Sequence, residues 1–254
     1  MKFICAILCL ISSLNISAQE NHLALEVDYF NNIYTIKGNE LKKYSPNKEL
    51  LYNFSDALLG EITSIDVSNP LRLLLFYKES NQILYLDQNL SPISEPNDLY
   101  TYTDNETQIC CNASSGGFWI YNIDDNQAFQ ISKQGEVLIK SSLLTSYFKD
   151  YIPSKMIEYH EKLYFLIPSH SILILNKFGQ FIQQIPLAGI TDFCHNNQNL
   201  LYLKDNSWFL YSPLAKTDSI AFKMNKSKNC RSKIQNNQIY ILCGDKISTQ
   251  NFKY

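Results

Sequence analysis

Four-residue apolar runs occur six times along the chain, each set in a frame of shorter, mixed segments and polar turns. They are Ile33-Tyr34-Thr35-Ile36, Leu73-Leu74-Leu75-Phe76, Phe118-Trp119-Ile120-Tyr121, Leu163-Tyr164-Phe165-Leu166, Leu200-Leu201-Tyr202-Leu203 and Ile239-Tyr240-Ile241-Leu242. Their first residues are spaced by 40, 45, 45, 37 and 39 positions. A continuous run this short fits a strand covered on both faces, whereas strict alternation fits one with a wet face. Before each run stands a short alternating segment, and a tight turn joins the two. A second hairpin and an outer segment follow. The second repeat shows the frame best: Glu61–Ser68, a turn at Asn69-Pro70, Leu71–Tyr77, Gln82–Asp87 and Pro92–Glu95.

The turns before the runs are rich in asparagine: Asn31-Asn32, Asn69-Pro70, Asn196-Asn197 and Asn236-Asn237. Asparagine tolerates the positive φ that tight hairpins demand. The third repeat uses Ser114-Ser115-Gly116-Gly117 instead. The second hairpins also match one another: Ser45-Pro46-Asn47-Lys48, Asp87-Gln88-Asn89, Ser132-Lys133-Gln134-Gly135 and Asn176-Lys177-Phe178-Gly179. Outer strands are expected at Glu49–Phe54, Val137–Lys140 and Phe181–Ile185, and a single helical turn within Leu143–Lys149. Four strands per repeat at a period near forty predict radial blades. The expected fold class is therefore all-β, a six-bladed β-propeller with four-stranded antiparallel blades. The last blade is incomplete, since only Ile247–Phe252 follows its central strand. Tyrosines and phenylalanines are expected to fill the wedges between blades.

On this spacing, and on turns of the Asn-Lys-Phe-Gly form at 176–179, residues 22–254 resemble exported bacterial six-bladed propellers with degenerate repeats, of the NHL-like and YVTN-like kind. The Trp-Asp pair of WD40 repeats is missing, and the paired glycines of kelch repeats do not recur from repeat to repeat. The resemblance implies a fold, and a fold does not name a function.

The N-terminal residues carry a different signal. Lys2 precedes an apolar stretch from Phe3 to Leu14, and Ser17-Ala18 ends in a small residue before Gln19-Glu20. This predicts a secretory signal peptide over residues 1–18, cleaved after Ala18, and one propeller domain over 19–254. Lipidation at Cys9 is disfavoured because Leu8 is too large for the position before a lipidated cysteine. An Ala-Gln signal end in a chain rich in Asn, Lys and Ile resembles exported proteins of Bacteroidota. The expected location is the periplasm, the outer membrane or the cell exterior. No later stretch reaches the length of a membrane-spanning helix, so the mature chain is expected to have no transmembrane segment.

Charge is uneven. Residues 20–130 hold sixteen acids against six bases, and residues 131–254 hold eight acids against fifteen bases. The halves therefore carry about −10 and +7. The densest basic stretch includes Lys216, Lys223, Lys226, Lys228, Arg231 and Lys233. Such asymmetry can steer a charged partner. An exported chain has no call for nucleic acid, so Lys223, Lys226, Lys228, Arg231 and Lys233 are candidate docking residues for an acidic envelope protein, at the rim between the fifth and sixth blades.

Five cysteines remain after residue 18, and an oxidising compartment permits disulfides. If Asn236-Asn237 centres a symmetric hairpin, Cys230 and Cys243 face each other across it, within reach of a bridge; a bulge would instead leave them as two thiols. Cys110-Cys111 read as reduced residues on opposite strand faces, with a vicinal disulfide as the alternative. Four histidines, without HExxH or CxxC, give no metal motif. No GxSxG or phosphate loop is present, and no cofactor is expected. Aligned on their turns, the innermost strands superpose Asp28, Asp66, Cys110, Glu158 and Cys194. Asp28, Asp66 and Glu158 are candidate oxygen ligands for a cation such as Ca²⁺; the competing and favoured reading is carboxylates bonded to backbone N–H groups of neighbouring strands. The function expected is a non-catalytic protein-interaction or scaffold module. The alternatives are a metal-assisted enzyme of lactonase or hydrolase type, and a sugar- or peptide-binding module using exposed aromatics such as Trp119 and Trp208.

Overall fold

Every apolar run becomes the second strand of a four-stranded or three-stranded antiparallel sheet. The computed structural model describes residues 23–148, 150–196, 198–212, 218–224 and 230–251. The proposed signal peptide, together with Lys216, Lys226 and Lys228, lies outside them. Blade one comprises β1 (Leu23–Val27), β2 (Ile33–Lys37), β3 (Glu40–Tyr44) and β4 (Leu50–Ser55). Blade two comprises β5 (Ser64–Asp66), β6 (Leu73–Tyr77), β7 (Gln82–Leu86) and β8 (Asn97–Asp98). Blade three comprises β9 (Thr107–Asn112), β10 (Phe118–Asn122), β11 (Gln127–Ile131) and β12 (Val137–Lys140); the helical turn α1 (Thr145–Phe148) follows it. Blade four holds β13 (Lys155–Tyr159), β14 (Lys162–Ile167), β15 (Ser171–Asn176) and β16 (Phe181–Pro186). Blade five holds β17 (Ile190–Asn196), β18 (Asn199–Lys204), β19 (Ser207–Leu210) and β20 (Ser219–Lys223). Blade six has three strands among the described residues, β21 (Cys230–Gln235), β22 (Gln238–Cys243) and β23 (Lys246–Asn251). The protein is thus an all-β six-bladed propeller.

The repeated turn chemistry explains why the blades share one shape. At the second hairpins a Ser, Asp or Asn side chain accepts main-chain N–H bonds from inside the turn: Glu49 to Ser45, Asn89 and Ser91 to Asp87, Gln134 and Glu136 to Ser132, Phe178 and Gln180 to Asn176. Three residues after each acceptor the backbone is left-handed, at Lys48, Leu90, Gly135 and Gly179. Register shifts follow at the same place in blades one, three and four, the extra residue and added twist of a bulge. Gly179 needs its glycine twice over. Its φ is +73°, and an added Cβ would lie 2.6 Å from Ser141 Cα of the preceding blade. The paired asparagines at 236–237 both have positive φ, as a two-residue hairpin requires.

Blade two departs from expectation. Its outer strand is β8, not Pro92–Glu95, and Pro92 forms only an isolated bridge to Leu86. Proline brings no N–H to a ladder; the Ile93 N–H still bonds to the Tyr85 carbonyl, but a paired strand forms only where the chain returns at Asn97.

The core is divided into six apolar wedges, one per blade junction. Adjacent residues of one strand serve different wedges: Cys110 packs between blades two and three, and Cys111 between blades three and four. Both are free thiols on opposite strand faces. The two junctions of blade six have the fewest fully buried apolar residues, and one of them, between blades six and one, closes the ring. It rests on Leu25, Val27, Ile33, Tyr240 and Leu242, and polar bonds from Asn236 to the Tyr29 carbonyl and to Asn31 tie the ends of the ring. Cys230 faces Cys243 in register, with Cα atoms 4.3 Å apart, and the two form a disulfide.

Candidate functional site

Innermost strands bring charged residues from successive blades side by side. On β13, Lys155 donates to Asp192 Oδ1 at 2.8 Å and to the Phe193 carbonyl. Asp192, on β17, accepts at its other oxygen from Lys233 of β21 at 2.6 Å. Lys233 also reaches Glu26 of β1 at 2.9 Å. An alternating chain of four charges therefore spans blades four, five, six and one. The side chains are only 11–27 % exposed, so the charges are largely withdrawn from water. Burial alone would raise the Asp192 carboxyl; the Lys155 and Lys233 ammoniums outweigh it and hold it well below the usual carboxylate range. Burial likewise opposes the charge on Lys233, and Asp192 and Glu26 outweigh that, keeping the ammonium protonated.

The three carboxylates singled out in the sequence do not share a height. Asp66 pairs with Leu74 and Glu158 with Leu163, while Asp28 lies just beyond the end of β1. Asp28 is buried and accepts from the N–H groups of Phe30 and Asn32, the Asn32 amide and the Tyr34 hydroxyl. Asp66 accepts from Ser68 N–H and from Asn112 N–H of the next blade. Glu158 accepts from Ser114 N–H and hydroxyl and, at 2.7 Å, from the Trp119 indole N–H. Two of the three thus fasten neighbouring blades to blade three. Among the described residues no three His, Cys, Asp or Glu side chains are grouped as metal ligands.

Trp119 and Trp208 are fully buried, which corrects the expectation that they are exposed. Their indole nitrogens bridge to Glu158 and to Ser232 of the adjacent blades. The exposed aromatic pair is Tyr29 and Phe30, edge to face at 5.9 Å on the tip of the first hairpin.

The basic stretch is split by the fold. Lys223 ends β20 and is exposed, and Arg231 is exposed on β21. Lys233 is not on the rim: it is consumed by the buried charge chain. Sequence reasoning missed Glu26, Lys155 and Asp192 as one set, because Glu26 stands much nearer its hairpin turn than Lys155 and Asp192 do. Glu26 faces Tyr34, Lys155 faces Leu166 and Asp192 faces Leu203, on the turn side of an irregularity in β17.

Beside Lys223 a groove of about 420 Å³ opens between blades five and six. Phe222 and Met224 of blade five and Ile241, Gln250 and the Cys230–Cys243 disulfide of blade six line it. Elsewhere on the rim, outer strands expose apolar residues, among them Leu50, Leu51 and Tyr52 of blade one, Val137 and Leu138 of blade three, and Phe181 and Ile182 of blade four.

No family model matches the chain, and no curated protein matches it. Solved structures do. A catalytically inactive virginiamycin B lyase from Staphylococcus aureus, with quinupristin, is 14% identical over 94% of this chain and 87% of its own, with a TM-score of 0.59. A protein of unknown function from Bacteroides caccae is 12% identical over 91% of this chain and 90% of its own, at 0.55. BamB from Moraxella catarrhalis is 10% identical over 92% of this chain and 86% of its own, at 0.53. At these identities the likeness shows the propeller fold alone. No helix among the described residues is long and apolar enough to cross a membrane.

Proposed function

We propose that the protein is a non-catalytic, exported propeller that docks other proteins of the cell envelope. The observation that carries this reading is a contrast within the disc. Charged and polar groups of the inner ring are spent on one another and on backbone N–H groups, while the rim offers apolar outer strands and an exposed lysine beside a groove. Residues 1–18 are read as a cleaved signal and 19–254 as the mature domain, in the periplasm, at the outer membrane or outside the cell. The disulfide supports export, since such bonds persist in oxidising compartments. The Bacteroidota style of the chain and its NHL-like or YVTN-like repeats accord with it. The partner is an acidic envelope protein that reads the basic edge of blades five and six; no nucleic acid or cofactor is required. The alternatives are a metal-assisted hydrolase and, favoured by exposed Tyr29 and Phe30, a sugar- or peptide-binding face.

Cross-linking in intact envelopes, followed by mass identification of the partner, tests the docking reading. Reversal of Lys223, Lys226 and Lys228 to Glu should slow association with the captured partner, and the wild-type on-rate should fall with salt, because exposed charges are screened over about 10 Å at 0.1 M. Unchanged association by a folded triple variant refutes it.

A further inference from the structure

The groove between blades five and six has the shape of something left out. Blades one to five each close with a fourth strand, and among the described residues nothing pairs with the outer edge of β23. The register says which main-chain groups lie bare there. Cys230 and Cys243 are 4.3 Å apart at Cα, the separation of a non-hydrogen-bonded antiparallel pair. Cys243, Ile241 and Ile239 therefore turn their main-chain groups toward their partners Lys246, Ser248 and Gln250 on β23. Ile247, Thr249 and Asn251, the intervening residues, turn theirs outward. Such an edge is a template for another strand.

The groove beneath that edge has a definite chemistry. Phe222, Met224 and Ile241 give it an apolar floor, Lys223 is the charged residue among the described residues of its lining, and Lys246 projects from the same sheet face as Cys243. Phe222, on the fourth strand of blade five, pairs with Trp208; among the described residues no fourth strand covers the corresponding position of blade six.

We propose that β23 receives an extended, acidic segment of a partner protein as the fourth strand of blade six. The segment's main chain bonds to Ile247, Thr249 and Asn251. Alternate apolar side chains enter the groove over Phe222, Met224 and Ile241, and its carboxylates pair with Lys223 and Lys246. Main-chain bonds supply affinity and the pockets supply selection, as in other strand additions. This rests on the docking-module reading and gives that module its recognition mode.

The probe is a phage-displayed library of random peptides, panned on the purified mature protein, with the selected peptide then made synthetically. Selected peptides should alternate apolar residues with Asp or Glu. Binding should slow amide exchange at Ile247, Thr249 and Asn251 and spare the hairpin tips. Thr249→Pro removes one outward donor without breaking an internal bond, since an edge strand tolerates proline there, and should weaken binding about tenfold or more. A paired Lys223→Glu and Lys246→Glu variant should weaken the same peptide and flatten its salt dependence. Recovery of the disulfide-linked peptide and an unchanged melting curve show that each variant is folded. Failure to select a peptide, lack of acidic preference, protection away from β23, or full binding by folded Thr249→Pro overturns the proposal. The docking-module reading survives those results if envelope cross-linking still yields a partner, and falls with them if it does not.

Discussion

Replacing Asp192 with alanine should cost more stability than any single change on the outer surface. The substitution strands two ammonium groups, Lys155 and Lys233, that both point at the deleted oxygens. Removing one partner of a buried ion pair costs about 3–5 kcal/mol, because the remaining charge keeps its desolvation penalty. Two facts place the value near the lower end. Lys233 retains Glu26 at 2.9 Å, and Lys155, with a side chain 22 % exposed, can reach water. A loss of about 3 kcal/mol in a domain of this size lowers the melting temperature by roughly 6–12 °C. Lys155→Ala should cost less, since Asp192 keeps Lys233, and a double-mutant cycle between 155 and 192 should give a coupling of at least about 1 kcal/mol. Urea denaturation monitored by circular dichroism measures both, with an unchanged urea slope as the check that unfolding stays cooperative. The carboxyl of Asp192 is depressed, so its contribution is present above the ordinary carboxylate range and fades only in strong acid. An Asp192→Ala variant within 1 kcal/mol of wild type at neutral pH would show that the four charges are solvated ornaments rather than a fastening of the ring.

Two further predictions concern backbone and acid. Lys48 and Leu90 occupy the same left-handed turn position, yet Lys48→Gly should stabilise by up to about 1 kcal/mol through relief of strain at an exposed site, whereas Leu90→Gly should destabilise by about 2–4 kcal/mol because Leu90 is also a core residue of the wedge between blades one and two; thermal melts that give both the same sign refute this. Burial pushes the His195 imidazole down to about 3, with Lys155 and His160 adding to the effect. Between that value and its unfolded pKa near 6.5 the unfolded chain binds the extra proton. Stability is then intact above about pH 6.5 and declines below it by up to about 1.4 kcal/mol per unit. His195→Phe, which keeps an aromatic ring against Tyr159, should lose stability more slowly than wild type as the pH falls, and parallel decline of the two between about pH 7 and pH 5 would refute the reasoning.

Local regularities were the legible part of the fold. Six apolar runs are six central strands, because a strand sandwiched between blades needs apolar residues on both faces. The symmetric Asn-Asn hairpin placed Cys230 opposite Cys243, because register in a two-residue hairpin is pure arithmetic. Outer strands were read less well. Their pairing in blade two is decided by where a proline-interrupted chain rejoins the sheet, and no periodicity announces that. The tryptophans misled for a related reason: a Trp in an apolar run is equally a core residue and a surface platform, and only the bond from Trp119 to Glu158 decides.

The sequence alone determined the repeat, the turns, the blade count and one disulfide, since all of these follow from neighbours close along the chain. The tertiary structure alone decided which charges meet. Glu26, Lys155, Asp192 and Lys233 come from four blades and as many as 207 positions apart; they adjoin because closing the ring brings the inner strands of blades six and one together. The same closure withdrew Lys233 from a basic stretch that, read linearly, belonged to the surface. Among the described residues the outer edge of β23 is unpaired, because a strand's outer partner in a radial sheet is set by the whole disc and not by its own residues.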